Sequence, residues 1–152
     1  MKTLTMLDEA IKYLDATNFG LIEYEDHNRE YEGFKTTLDN QTTIRSRLAK
    51  KTPKKKGYFV AVYKKESNNI NKPYSYFYFP DYLLVHVIDG YLKGVFIFTK
   101  DILIKKGIVS SSDHKGKMAF RVYTPWDTDL NATAAKTYAW QKDYFIDLTN
   151  NM

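Results

Sequence analysis

The sequence predicts an α+β fold, a mixed central β-sheet flanked by helices at the two ends of the chain. Three observations predict it. Apolar residues recur at helical spacing near the start, at Leu4, Leu7, Ile11 and Leu14, and again along Asn131 to Leu148. Between those segments lie short runs rich in aromatic and β-branched residues, which favour strands. Turn-forming pairs, Asp39-Asn40 and Asp89-Gly90, separate several of these runs. A chain of 152 residues with no internal repeat or linker reads as one domain, 1–152, large enough for a core without a metal or disulfide staple.

The elements follow in order. The first apolar stripe predicts a helix over about residues 4–16, ended near Asn18-Phe19-Gly20. Leu21 to Tyr24 reads as a short strand. Phe34 to Leu38 and Thr42 to Leu48 read as a hairpin about Asp39-Asn40. Alternation along its second arm puts Ile44 and Leu48 on one side and Arg45 and Arg47 together on the other. Thr52 to Gly57 is a loop. Tyr58 to Tyr63, apolar throughout, predicts a central strand. Glu66 to Pro73 is a loop, and Tyr82 to Ile88 with Tyr91 to Phe98 forms a second hairpin, its Asp89-Gly90 signalling a type I′ turn. Thr99 caps a short helix, Lys100 to Lys106, closed by Gly107. Ser110 to Gly116 is a loop and Met118 to Tyr123 a strand, broken by Thr124-Pro125-Trp126-Asp127. Asn131 to Leu148 reads as a long helix with Ala134, Tyr138, Gln141, Phe145 and Leu148 on one stripe.

Charge is distributed unevenly. The total is +5, yet Gln41 to Lys65 holds nine basic residues and no acid: Arg45, Arg47, Lys50, Lys51, Lys54, Lys55, Lys56, Lys64 and Lys65. Leu21 to Asn40, just before, holds six acids against Arg29 and Lys35. Soluble surfaces normally mix signs. A concentrated basic stretch fits a polyanion, since phosphates reward it through counterion release; the bland alternative is a solvated basic loop. The stretch lacks the Leu/Trp face of a membrane anchor. No segment reads as a membrane span or signal peptide, and there is no cysteine, which removes thiolate chemistry and suits a cytoplasmic location. The 13 Tyr, 9 Phe and 2 Trp are assigned mostly to the core, with a share available for base stacking.

Several strings carry a family resemblance. They are Arg47-x-Ala49-Lys50-Lys51-Thr52-Pro53-Lys54-Lys55-x-Gly57-x-Phe59-Val60; Gly94-Val95-Phe96-Ile97-Phe98 followed by Lys106-Gly107-Ile108; Phe120-Arg121-Val122-Tyr123-x-Pro125-Trp126-Asp127; and Trp140-Gln141-x-x-Tyr144-Phe145-Ile146. In this order and over most of the chain they resemble the MepB family, small bacterial proteins that can be encoded beside multidrug efflux genes. The resemblance implies a restriction-endonuclease-like, PD-(D/E)XK-like fold and a nucleic-acid-binding role. It supplies no catalytic residues to carry over.

Nuclease chemistry on such a scaffold needs two acids holding magnesium, which activates water and neutralises phosphate, with a lysine nearby. The sequence offers one Pro-Asp pair, Pro80-Asp81, and one acid-x-Lys, Asp113-His114-Lys115, the latter in a Ser/Gly loop. Tyr58 to Tyr63 is the strand expected to carry the acid and lysine. It runs into Val62-Tyr63-Lys64, which keeps a lysine and has no acid. Glu30, Glu32 and Asp81 remain as a different possible metal set. His27, His86 and His114 lack metal-ligand spacing.

The expectation is therefore a binding protein rather than an enzyme, weakly sequence-specific and preferring RNA or single-stranded DNA over duplex. Its contacts are assigned to Arg45, Arg47, Lys50, Lys51, Lys54, Lys55, Lys56, Lys64, Arg121 and Trp126. Tyr123, Lys136, Trp140 and Gln141 are placed near the last two, with Trp140 assigned to the core. No cofactor is expected; magnesium enters only with the alternative of a divergent metal-dependent nuclease, for which Asp81, Asp113 and Lys115 are the candidates. A third alternative is a protein-interaction module that docks an acidic partner.

Overall fold

The structure, a computed structural model, describes residues 1–150. Helix α1 spans Lys2–Lys12, and its apolar stripe buries Met6, Leu7, Ala10 and Ile11. It stops earlier than the pattern suggests because the chain turns through Asp15, at φ 59°. Eleven strands follow among the described residues: β1 Glu23–Tyr24, β2 Phe34–Thr37, β3 Thr43–Leu48, β4 Lys50–Lys51, β5 Tyr58–Ala61, β6 Tyr63–Lys65, β7 Asn71–Pro73, β8 Tyr82–Asp89, β9 Leu92–Thr99, β10 Ala119–Val122 and β11 Phe145–Asp147. Helices α2, Lys100–Lys105, and α3, Ala132–Gln141, lie between β9 and β11.

The main sheet has six strands in the order β1-β2-β3-β8-β9-β11. It is mixed, because β3 and β8 run parallel while its other pairs are antiparallel. A smaller antiparallel sheet, β10-β5-β4, faces it, and β6 with β7 forms a separate hairpin. Alternation along the strands divides the apolar residues between two layers. Leu83, Val85, Val87, Phe96 and Phe98 meet Tyr58, Val60 and Val122 of the small sheet and Leu103 of α2. Phe34, Ile44, Leu84, Val95 and Ile97 point the other way, onto Leu7 and Ile11 of α1.

Both predicted hairpins form, and the second shows how finely a turn is specified. Asp89 pairs with Leu92, so the loop residues are Gly90 and Tyr91. Gly90 has φ 63°, and Tyr91 is not among the positive-φ residues. A type I′ turn needs positive φ at both positions, so the loop is not of that type. The short helix forms as its cap signal indicates: Thr99 Oγ1 accepts from Ile102 N at 3.1 Å.

Three elements differ from expectation. The segment Glu66 to Pro73, expected to be a loop throughout, ends in β7, which pairs with β6 as a hairpin. The apolar run Tyr58 to Tyr63 is not in the main sheet. It breaks at Val62, and its first part is the middle strand of the small sheet. It is apolar on both faces because the 3₁₀ segment Asp26–Tyr31 covers its outer side, with Tyr31 6.3 Å from the Phe59 ring. The predicted long last helix ends at Gln141. A 3₁₀ turn, Lys142–Tyr144, leads into β11, which pairs with β9 from Phe96 to Gly94. As a strand this segment sends Phe145 into one layer and Ile146 into the other, and it occupies the β9 edge.

Candidate functional site

Arg45 and Arg47 project from the same face of β3, and that face is buried. Arg45 is 7% exposed and Arg47 0%. Their partner is Glu25, just before the 3₁₀ segment. Its carboxylate accepts from Arg45 Nη1 at 2.6 Å and from Arg47 Nη1 and Nη2 at 2.6 and 3.1 Å, and from the Tyr74 hydroxyl. Arg47 Nε also donates to Ala61 O at 3.0 Å, and the Arg45 guanidinium stacks 4.1 Å from the Tyr74 ring centre. Burial alone would raise the Glu25 pKa; the guanidinium of Arg47, then that of Arg45, overcomes this and holds it at about 2. Assigning these two arginines to nucleic-acid contact is therefore corrected: their charge is spent inside the fold. The acid lies twenty residues from Arg45 in the chain, beyond the reach of strand alternation.

Other cations of the basic stretch are partly engaged at the surface. Lys50 pairs with Glu30 at 3.2 Å, Lys51 with Asp89 at 3.2 Å, and Lys64 with Glu66 at 3.8 Å. What remains is the loop Thr52 to Gly57. Lys54, Lys55 and Lys56 are exposed there, and the side chains of Lys54 and Lys55 have no hydrogen-bonding or ionic partner among the described residues. Lys56 Nζ reaches the carbonyls of Thr128 and Asp129.

The loop stands as a ridge between two grooves. One, of about 400 Å³, is lined by Lys51, Tyr58, Asp89, Trp126 and Asp127 together with the loop lysines. The other, of about 500 Å³, runs along Arg121, Tyr123, Asn131 and Thr133, where α3 begins. Helix N-termini favour anions. Arg121 acts mainly as the ridge's fastening. Its guanidinium donates to Lys56 O at 2.7 Å and to Thr52 Oγ1 at 2.9 Å. Gly57 closes the loop at φ 79°, where a Cβ would lie 2.6 Å from the Tyr123 ring and 2.7 Å from Val122 O. Gln141, fully buried, accepts from Tyr123 N and donates to Arg121 O, tying α3 to β10.

Trp126 lines the first groove, but its indole N–H is spent on the Tyr58 hydroxyl at 2.8 Å, and its ring meets Phe145 edge-on at 5.5 Å. Tyr58 in turn donates to Asp89 at 2.8 Å. Burial keeps the Tyr58 hydroxyl well above its ordinary pKa, so it stays a donor. Trp140 packs against the core with Lys106 5.4 Å from its ring.

The acids do not converge. Asp81 accepts from Thr43 N and Oγ1 at 3.0 and 3.1 Å, while Asp113 bonds within its own serine loop and Lys115 is exposed beside it. Glu30 faces Lys50, and Glu32 accepts from Thr3 N and Oγ1. Among the described residues no three His, Asp or Glu side chains are grouped to hold a metal ion. Beside Ala61–Tyr63, where a nuclease would keep its acids, stand Glu25, His27 and Asn28; the last two bond to Tyr63 O, and Glu25 is held by the arginines. Among the described residues no helix is long and apolar enough to cross a membrane.

The aromatic string Tyr74 to Phe79 was not singled out by the sequence reading. Its density before Pro80 was the available signal, and it turns out to hold two of the most exposed aromatic side chains.

The family model described as MepB-like matches residues 25–147. Among solved structures, the crystal structure of MepB is 42% identical, with 97% of each chain covered and a TM-score of 0.84. No curated protein matches.

Proposed function

The chain belongs to the MepB-like family, and from that premise we propose that it binds single-stranded nucleic acid, RNA or DNA, through the lysine ridge between β4 and β5. The observation that carries this is the unpaired state of Lys54 and Lys55 on a loop fastened by Arg121. Like charges held close cost energy unless an anion joins them, and the carboxylates nearby are taken up elsewhere, Asp89 by Lys51 and Tyr58 and Asp127 by Thr124. A ridge between two grooves suits a flexible strand, with phosphates along the lysines and bases turned to either side. Duplex readers instead present a helix or ribbon to a groove. Lys51 and Lys56 add neutralising charge at the ridge's ends, whereas Lys50, Lys64 and the buried arginines stand outside this site.

We include in the proposal a PD-(D/E)XK-like scaffold, supported by the mixed sheet. A binding rather than cleaving role is supported by Glu25, the acid beside Ala61–Tyr63, being fully engaged by Arg45, Arg47 and Tyr74.

Fluorescence polarisation with labelled single-stranded RNA, single-stranded DNA and duplex DNA tests the reading. For three to four lysines the slope of log K against log salt should be roughly −2 to −3 on single strands. The double substitution Lys54→Gln/Lys55→Gln should flatten it. Binding that ignores salt, or that the double variant retains in full, removes the proposal. Competition by polyglutamate and not by RNA assigns the ridge to an acidic protein instead.

A further inference from the structure

A separate groove of about 290 Å³ lies where the 3₁₀ turn Tyr76–Tyr78 passes the β2–β3 part of the main sheet, lined by Lys35, Thr43, Arg45, Phe77, Tyr78 and Phe79. Phe77 and Tyr78 are 74% and 82% exposed. Adjacent aromatics left in water are costly, and they mark contact surfaces when grouped. Their turn is not loose. Tyr76 N donates to Ser110 O at 2.8 Å, Phe79 is buried, and Lys100 Nζ donates to Phe79 O at 3.3 Å while lying 4.7 Å from the Tyr76 ring. Both flanks are anchored, so the pair is presented in a fixed position.

The base of the groove is Arg45. Its hydrogen bonds within the fold leave from Nη1, to Glu25 and to Tyr74. Nε is sealed from solvent and has no partner among the described residues, so the hydrogen-bonding capacity of this guanidinium is not filled within the fold. Buried guanidinium N–H groups are normally satisfied. One carboxylate, Glu25, serves two arginines, which leaves one positive charge in excess. His27 Nε2 stands 3.8 Å from the same carboxylate. Of the nearby charges, Glu23, which also lines the groove, lies opposite Lys35 across β1 and β2, and Asp81 is bonded to Thr43 while Lys100 donates to Phe79 O.

We propose that this groove binds a single aromatic ring bearing a carboxylate or a phosphate, the ring against Phe77 and Tyr78 and the anion toward the guanidinium of Arg45. A guanidinium makes charge-assisted hydrogen bonds to either anion. The groove is at the lower end of small-ligand pockets, roughly 300–1,000 Å³, which suits one ring with one anionic group. Such a ligand is either a free aromatic acid or a nucleotide.

Heteronuclear NMR titration of the full chain tests this with benzoate, uridine monophosphate and benzyl alcohol. The expected result is that one or both anions shift the Arg45 Nε–H resonance and the amides of 77–79, while the alcohol does not. Binding of benzoate alone identifies a free acid, and of uridine monophosphate alone a nucleotide. Phe77→Ala and Tyr78→Ala, both at exposed positions that leave the core intact, should each weaken binding about tenfold. Lys54→Gln/Lys55→Gln should leave it unchanged, which separates this site from the lysine ridge. Equal binding of the neutral alcohol, shifts that persist in both alanine variants, or shifts confined to residues 51–57 overturn the proposal.

Discussion

Glu25 is the residue on which the interior charge depends. It is the one carboxylate bonded to both Arg45 and Arg47, and removing it strands two guanidinium groups. Breaking a buried pair in this way costs about 3 to 5 kcal/mol. Glu25→Ala should therefore shift the urea midpoint far to lower denaturant, whereas Glu30→Ala, which breaks an exposed pair with Lys50, should change stability by less than about 1 kcal/mol. At this scale the sequence was half legible. Period-two alternation correctly put Arg45 and Arg47 on one face. It could not say that the face is covered, because the cover comes from Ala61 and Tyr74, remote in the chain. The solvent exposure expected of arginines misled for the same reason.

Among the elements, those specified by local chemistry were the ones the sequence disclosed. The Asp39-Asn40 and Asp89-Gly90 hairpins and the Thr99-capped α2 all formed where their turn and cap residues stand. The segment Phe145–Asp147 was misread because Phe145 and Leu148 also fit a helical stripe; only the vacant edge of β9, a nonlocal fact, makes it a strand. Lysine-loop geometry likewise depends on β10. Arg121→Ala removes the bonds to Thr52 and Lys56. Hydrogen exchange of the amides at 52–57 should then quicken while those of β8 and β9 stay protected. Unchanged exchange in the loop would show that Gly57 and Lys56 hold it without Arg121.

Across the whole molecule, the acidic stretch and the basic stretch turn out to be partners. Glu25 and Glu30 take up Arg45, Arg47 and Lys50, and the free cation density shrinks to the loop. Composition displayed both blocks but not which members would meet. The parallel pairing of β3 with β8 was equally hidden, since nothing in either strand's pattern names its neighbour. The same interior governs the response to acid. Burial lowers the pKa of His86 from 6.5 to about 4. The unfolded chain takes up this proton below pH 6.5 and the folded one only near 4, so stability falls across that window by up to about 3 kcal/mol. Glu25 adds a second loss below it: the unfolded carboxyl protonates near 4.5, the folded one near 2, and its stabilisation fades as pH drops between them. Urea titrations across this range should show both limbs, and His86→Leu should flatten the upper one alone. A variant that keeps the full slope from pH 6.5 to 4 would remove His86 as its source.

The return of Phe145–Asp147 to β9 also imposes a schedule on biosynthesis. β8 and β9 leave the ribosome as a complete hairpin while β11 is still unmade. Through that interval Gly94, Val95 and Phe96 hold out unpaired peptide groups to any passing strand. Translation of α3 and β11 therefore ends the period in which a nascent chain is most open to pairing with its neighbours.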